Sequence, residues 1–111
     1  MSLDSGRRDR LIVIEQKAAQ KNDYNEDIET WSEAFKLWAS VYFGSGQEQR
    51  EAAQSQGVQA ASFEVLRSTR TRAITISGHR IRFQDAPWDI QAIAEIGANE
   101  GLRLSAIRAV E

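Results

Sequence analysis

The sequence predicts a mainly β protein with short strands and one short helix, and three stretches carry that prediction. Residues 11–15 form a short apolar run bounded by charge, which is typical of a strand. Residues 35–43 place an apolar residue at every second position, as a strand with one buried face requires. Residues 102–106 repeat that alternation until its phase shifts at Ile107, as in a bulged last strand.

The stretch before the first glycine-rich turn is predicted to be a strand, although its periodicity is ambiguous. A polar turn at residues 21–27 precedes it. A helix capped by Ser32 fits the spacing about as well as a strand does. The aromatic and β-branched ending SVYF and the GSG after it favour the strand. Alternation then places two sets of residues on opposite faces: Phe35, Leu37, Ala39, Val41 and Phe43 on one, Trp38 and Tyr42 on the other.

The one short helix is predicted at residues 46–56. Ser45 and Glu48 have the spacing of a capping box, and Gly57 suits the left-handed position at a helix end. Alanine is the only apolar residue type inside this segment, so the helix should lie on the surface or meet a partner. After it, residues 62–67 are predicted as a strand and residues 68–72 as a loop or strand edge.

Residues 80–97 allow two interpretations from the residues alone. A helix would carry Pro87 in its first turn and end at Gly97. A hairpin would turn through residues 84–87 and pair two apolar residues of one strand with two of the next: Ile81 and Phe83 with Trp88 and Ile90. Local propensity does not choose between them.

Composition describes a small globular protein. With 41% hydrophobic and 27% charged residues, the chain is expected to form one domain over residues 1–111, with residues 1–9 as a flexible N-terminal arm. The absence of cysteine excludes disulfides and thiolate metal sites. No run approaches the roughly 20 apolar residues of a membrane helix, and the basic start does not make a signal peptide. The protein is therefore expected in the cytoplasm that made it.

The residue patterns do not predict catalysis, and we expect no enzyme activity, metal or cofactor. His79 is the only histidine and follows Ser77, but a turn histidine without a partner explains it better than a Ser/His pair. Glu48 and Glu51 fit a solvated helix face better than a carboxylate pair. The stretch GSGQEQR lacks the lysine and hydroxyl residue of a phosphate-binding loop.

Charge is unevenly distributed, although the net charge is only −2. Of the 14 basic residues most are arginine, and they group at residues 7–10 and 67–82. Residues 23–33 are acidic. A chain with one acidic and one basic edge can stack on its own copies.

The order of motifs resembles the head–tail joining family of tailed bacteriophages, also described as head-closure or stopper proteins. A polar turn is followed by Trp31, by the pattern WA-V at residues 38–41, and by a small-residue turn with Glu48. The segments HRIRF and WDIQAI are similar to the family's hairpin, and LRLSAIR to its final strand. The resemblance covers most of residues 10–108. Asn25 stands where a glycine is usual, and QDAP is longer than the common tight turn.

This resemblance implies a small antiparallel β-barrel or sandwich of about six to seven strands with one short helix. Residues 80–97 are then interpreted as the hairpin, with Trp88 and Ile90 facing inward and Pro87 in the turn. The family further implies a non-enzymatic virion protein of a phage or gene transfer agent, assembled in the bacterial cytoplasm. It would form a ring of six or twelve copies in the particle neck. Its partners would be the portal or adaptor protein, the tail-terminator or tail protein, and duplex DNA in the lumen.

In such a ring, three groups of residues are candidates for contacts. The DNA-channel candidates, whose charges suit sequence-independent phosphate contact, are Arg70, Arg72, Arg80 and Arg82. Arg70 and Arg72 stand two apart, as do Arg80 and Arg82, so each pair shares one face of any strand that it occupies. The alternative is that such a face is solvated and ion-paired with Glu or Asp across the sheet. The subunit-interface candidates are Trp38 and Tyr42, unless their own chain covers them. The candidates for docking on a neighbouring ring or closing the channel are Ser45, Gly46, Glu48, Arg50 and Glu51. The alternative is that this segment is a flexible surface loop with a transient helix.

The sequence leaves two other functions open. One is a tail-terminator or tail-completion protein, which is similar in role and hard to separate by sequence. The other is a small β-barrel that binds nucleic acid, which should mix aromatic and basic residues on one open face. Trp31 and Trp38 lie in the acidic half of the sequence, and this separation argues against the nucleic-acid module.

Overall fold

The computed structural model describes residues 9–44, 58–98 and 100–109, which form six strands and one short helix. In chain order these are β1 (Arg10–Lys21), β2 (Asp27–Phe43), β3 (Val58–Leu66), α1 (Thr69–Arg72), β4 (His79–Phe83), β5 (Ala86–Ile96) and β6 (Gly101–Ala109). The mainly β prediction is confirmed. Within the described ranges, no helix has the length and apolarity needed to cross a bilayer.

The strands form one antiparallel sheet that closes on itself. Their order is β1-β2-β3-β6-β5-β4, and β1 pairs with β4 to complete the circle. The two stretches that the sequence left ambiguous are both strands. Residues 35–43 belong to β2, and residues 80–97 contain the β4–β5 hairpin. The closing pair brings Ile14 opposite Ile81, residues that are far apart in the sequence.

The core fills the inside of the closed sheet, because alternate residues of each strand point inward. Ile12 and Ile14 of β1 and Phe63 and Val65 of β3 are fully buried. The remaining buried apolar residues of the strands are Ala39, Ala61, Ile81, Phe83, Trp88, Ile90, Ile96, Leu102, Leu104 and Ala106. The predicted inward positions of Trp88 and Ile90 are confirmed.

The β4–β5 turn is tighter than the sequence suggested. Phe83 pairs with Ala86, so only Gln84 and Asp85 form the turn, and both have φ near +60°. This is the backbone of a two-residue type I′ hairpin, whose twist matches the flanking strands. Pro87 therefore lies in β5 rather than in the turn, which corrects the prediction. Its missing N–H removes no hydrogen bond to β4. Pro87 pairs with Arg82, directly after the closing Phe83–Ala86 pair, and this next pair of a two-residue hairpin exchanges no hydrogen bonds.

Asp85→Gly should stabilise the protein by about 0.5–1 kcal/mol, because glycine adopts positive φ without the steric cost of a Cβ. The urea midpoint should rise with an unchanged slope. Asp89→Gly is the matched control: Asp89 lies inside β5, where glycine weakens the strand. A fall in the midpoint of the Asp85 variant would contradict the turn assignment.

The helix of the described structure lies where the sequence suggested a loop or strand edge. Residues 68–72 instead form a capping box and one helical turn. The Ser68 hydroxyl accepts from the Thr71 backbone N–H, and the Thr71 hydroxyl accepts from the Ser68 N–H at 2.7 Å. Thr71 of α1 is buried, and Ile74, two residues after the helix, belongs to the hydrophobic core. The predicted helix at residues 46–56 lies outside the described residues.

Two bulges change the register of the sheet. Ile90 pairs with Ala106 and Ala92 with Ser105, which leaves Gln91 as an extra residue on β5. The predicted bulge thus lies on β5 and not on the last strand. The second bulge, at Ala34 of β2, separates the regular β1–β2 pairing into two segments.

The β1–β2 hairpin extends far beyond the closed sheet. β4 pairs with β1 only at residues 13–16, and β3 pairs with β2 only at residues 40–43. The described residues 18–30, called the arm below, therefore pair only with each other and are largely exposed. The molecule is correspondingly elongated, with extents of 51 × 36 × 21 Å.

Candidate assembly and DNA-contact surfaces

Arg80 and Arg82 lie on the outer face of β4, because the alternate residues Ile81 and Phe83 fill the core. Glu15 stands opposite Arg80 on β1. Its carboxylate lies 2.6 Å from Nε of Arg80 and 3.4 Å from Nε of Arg82, and its side chain is only 11% exposed. The prediction that the two arginines share a face is confirmed. The same face also carries the cross-strand ion pair that the alternative interpretation required.

Trp31 belongs to the same cluster. The Arg80 guanidinium lies over the Trp31 ring, 4.4 Å from its centroid, so this arginine is held by an aromatic face and a carboxylate together. The two residues are distant in sequence and meet because β1 pairs with both β2 and β4. The argument that the tryptophans lie away from the arginines is therefore wrong for Trp31.

Arg70 and Arg72 lie on α1 and not on a strand. Residues two apart on a helix are separated by about 200° of rotation, so this pair does not share the face that a strand would have given it. Both side chains are exposed. The Arg70 guanidinium lies 5.8 Å from the centroid of the Phe35 ring, which directs it towards the bulged part of β2.

Trp38 and Tyr42 lie on the outer face of β2, as the alternation predicted, and are 57% and 40% exposed. Leu11, the cross-strand partner of Trp38, is 48% exposed. On the same face, the carboxylate of Glu64 accepts two hydrogen bonds from Arg103, at 3.0 and 2.9 Å. Trp38, Tyr42 and Leu11 form an apolar patch beside an ion pair in which Glu64 is nearly buried and Arg103 is half exposed.

Phe43 differs from the prediction that it would be buried. It is 42% exposed at the end of β2, although its ring lies 6.4 Å from that of Phe83 and 6.2 Å from that of Trp88. The alternation is right, but at the end of β2 the core does not cover the whole ring. The docking candidates that follow, Ser45, Gly46, Glu48, Arg50 and Glu51, lie outside the described residues.

A groove of about 750 Å³ lies between α1 and the bulge of β2. Its lining combines donors, one aromatic ring and one carboxylate, and includes Glu33, Phe35, Lys36, Arg70, Ala73 and His79. No local pattern in the sequence indicates it, because its residues come from four separate elements, β1, β2, α1 and β4, that only the closed sheet brings together. Glu15 and Trp31 were missed for the same reason.

His79 has a defined partner, contrary to the sequence interpretation. The Thr75 backbone N–H donates to Nδ1 at 3.0 Å, so the neutral ring carries its proton on Nε2. Desolvation by burial lowers the pKa of His79 below its ordinary value of 6.5. Protonation of Nδ1 would also remove the acceptor for Thr75.

The contribution of His79 to stability should therefore be fully present above about pH 6.5 and decrease as the pH falls, because the unfolded chain binds the proton more readily. His79→Asn keeps an acceptor near the Nδ1 position without titrating in this range. The difference in unfolding free energy between the two proteins should shrink between pH 7.5 and 5 in urea titrations. A constant difference would contradict the lowered pKa.

Solved structures with the same fold come from two sources. The solution structure of protein SF1141 from Shigella flexneri 2a has a TM-score of 0.69 at 20% identity, over 98% of this chain and 99% of that one. A chain in the virion of a native gene transfer agent particle has a TM-score of 0.63, also at 20% identity, over 92% and 94%. No curated protein matches this chain.

The family comparison covers almost the whole chain. The model of the phage head completion protein family matches residues 3–110, which include all six strands and α1. The resemblance to phage head–tail joining proteins is confirmed by this match and by the gene transfer agent neighbour. The chain belongs to the phage head completion protein family.

Proposed function

We propose that this protein is a non-enzymatic structural component of the head–tail connector, forming a homomeric ring between the portal or adaptor and the tail. The family match over residues 3–110 is the observation that carries the proposal. The similar fold of a chain in a gene transfer agent virion supports it. The ring would have six or twelve copies, would be assembled in the bacterial cytoplasm, and would help retain or pass the packaged DNA without a cofactor.

The outer face of β2 is proposed to contact a neighbouring copy. Trp38 is the most exposed tryptophan and stands beside Leu11, so the patch places aromatic and aliphatic area in water. Burial of such area is a main source of free energy in association. Tyr42 adds a ring with a polar end, a residue type enriched at interfaces.

DNA contact is proposed for Arg70, Arg72, Arg80 and Arg82, which differ in the positive charge that each has available for phosphate. Glu15 offsets part of the charge of Arg80 and Arg82. Arg72 is exposed on α1 and keeps a full charge for phosphate contact, whereas Arg70, which is also exposed, lies over the Phe35 ring. A ring would repeat these charges once per copy around the channel.

A particle assembly experiment tests this function. Cells that produce the particle without this protein should accumulate heads without tails, and adding the purified protein to those heads should restore tail joining. A folded Trp38→Ser/Tyr42→Ser variant should restore it less well, whereas Arg10→Ser, at another exposed position, should act like the unchanged protein. Normal tailed particles in the absence of the protein would refute the proposal.

A nucleic-acid-binding module is the second candidate, because Trp31, Arg80 and Arg82 share one outer face. It predicts that single-stranded oligonucleotides quench tryptophan fluorescence and that Trp31→Ala abolishes the quenching. The connector function predicts no such preference for single strands, since the channel would hold duplex DNA. The titration therefore separates the two.

A further inference from the structure

The tip of the arm presents an exposed tyrosine between two acidic residues. Tyr24 is 84% exposed, the highest value among the large hydrophobic side chains of the described structure. The Asn22 side chain accepts from the backbone N–H groups of Tyr24 and Glu26, at 2.9 and 3.0 Å, and so fixes the turn. Asn25 completes it with φ of 63°. Tyr24, Asp23 and Glu26 thus project as a preformed unit.

The groove between α1 and the β2 bulge has complementary chemistry. Phe35 offers an aromatic surface, and Lys36 and Arg70 supply positive charge. His79 adds a donor, because Nδ1 accepts from Thr75 and Nε2–H has no partner among the described residues. Glu33 is the carboxylate that lines the groove, so the charge of its lining is net positive.

A molecule cannot place its own tip in its own groove. The tip leads directly into β2, and Lys36 in the groove lies ten positions after Glu26, the last residue of the turn. An extended strand covers about 33 Å over that length. The occupant must come from another molecule.

We propose that the arm tip of one copy inserts into the groove of the next copy, with Tyr24 against Phe35 and the carboxylates of Asp23 and Glu26 beside Lys36 and Arg70. This inference rests on the self-association in the proposed function and names a contact for it. Tip and groove are different surfaces, so the contact is heterologous, and repeated head-to-tail contacts of this kind close into a ring when the rotation allows. Its ionic part weakens as salt screens the charges.

The cysteine-free sequence permits a selective cross-linking test. Asp23→Cys combined with Ala73→Cys places one thiol at the tip and one at the groove, while the other charged residues remain. Oxidation of the concentrated protein should give a ladder of covalent dimers, trimers and larger oligomers. Each single-cysteine variant can form at most a dimer. The control is Asp23→Cys/Gln91→Cys, whose second thiol lies on β5 and away from the groove. An oligomer ladder no stronger than that of the control would overturn the proposal.

Charge reversal gives a second and independent readout. Arg70→Glu should weaken self-association by about tenfold or more, measured by sedimentation as a function of concentration. Adding Asp23→Lys to the Arg70→Glu chain should restore part of the self-association, because the tip lysine of one copy then meets the groove glutamate of the next. Arg10→Glu makes the same charge change away from the groove and should have little effect. Equal effects of Arg70→Glu and Arg10→Glu would count against the specific contact.

Failure of this inference is distinguishable from failure of the proposed function. If the unchanged protein joins tails to heads but the tip–groove pair gives no ladder, the ring uses another contact and only this inference is lost. If tails join in the absence of the protein, the proposed function itself fails, whatever the cross-linking shows.

Discussion

Trp88→Ala should lower the free energy of unfolding by about 4 kcal/mol, the largest loss expected from a single substitution in this chain. Trp88 is fully buried, and its ring packs edge-on against Phe63 with centroids 5.5 Å apart. Its indole N–H donates to the Phe83 carbonyl at 3.2 Å, so removal leaves a cavity and deletes a buried hydrogen bond. The midpoint of thermal unfolding should fall by about 15 °C or more.

Trp38→Ala is the matched control for this prediction. Trp38 is 57% exposed on the outer face, so its removal should cost less than about 1 kcal/mol of monomer stability. Unfolding by urea at low protein concentration measures both variants without self-association. Similar losses for the two would mean that the β4–β5 hairpin does not face the core as described.

Replacing Arg70, Arg72, Arg80 and Arg82 together with glutamine should make particles lose packaged DNA. The change removes four positive charges from every copy of a ring, and phosphate contacts of this kind contribute additively to binding. The measurement is the fraction of DNA in purified particles that nuclease can degrade. Particles that retain their DNA and join tails normally would contradict the assignment of these arginines to the channel.

Two controls separate charge from folding in that experiment. The quadruple variant leaves the nearly buried Glu15 without its cations, which destabilises the sheet. Arg72→Gln/Arg82→Gln leaves the Arg80–Glu15 pair and the Arg70 groove residue in place, and should still increase DNA loss. Arg10→Gln/Lys17→Gln removes the same charge elsewhere and should not.

The strands were predictable because their signals are local. Alternation in residues 35–43 and 102–106 marks the inward faces of β2 and β6, and all residues of these faces except Phe43 are buried or partly buried against the core. The hairpin at Trp88 could not be predicted from propensity alone, since Pro87 is compatible with a helix start. The order of motifs along the chain favoured the hairpin, through the family resemblance that it carries. A single segment does not contain this information, because register and pairing depend on the whole sheet.

The missed features have physical reasons of two kinds. The capping box of α1 uses Ser68 and Thr71, and threonine at the third position is a weaker signal than the usual Glu or Gln. The Glu15, Arg80 and Trp31 cluster depends on contacts between β1, β2 and β4 that span most of the chain. Such contacts have no local signature, and the groove depends on them as well.

A density map of the particle neck would show where this chain lies and how its copies are arranged. We expect copies of this closed six-stranded fold arranged as a ring between portal and tail, with the outer face of β2 against a neighbouring copy and the channel arginines towards the DNA. A neck built without this chain, or copies of it found only elsewhere in the particle, would contradict the account.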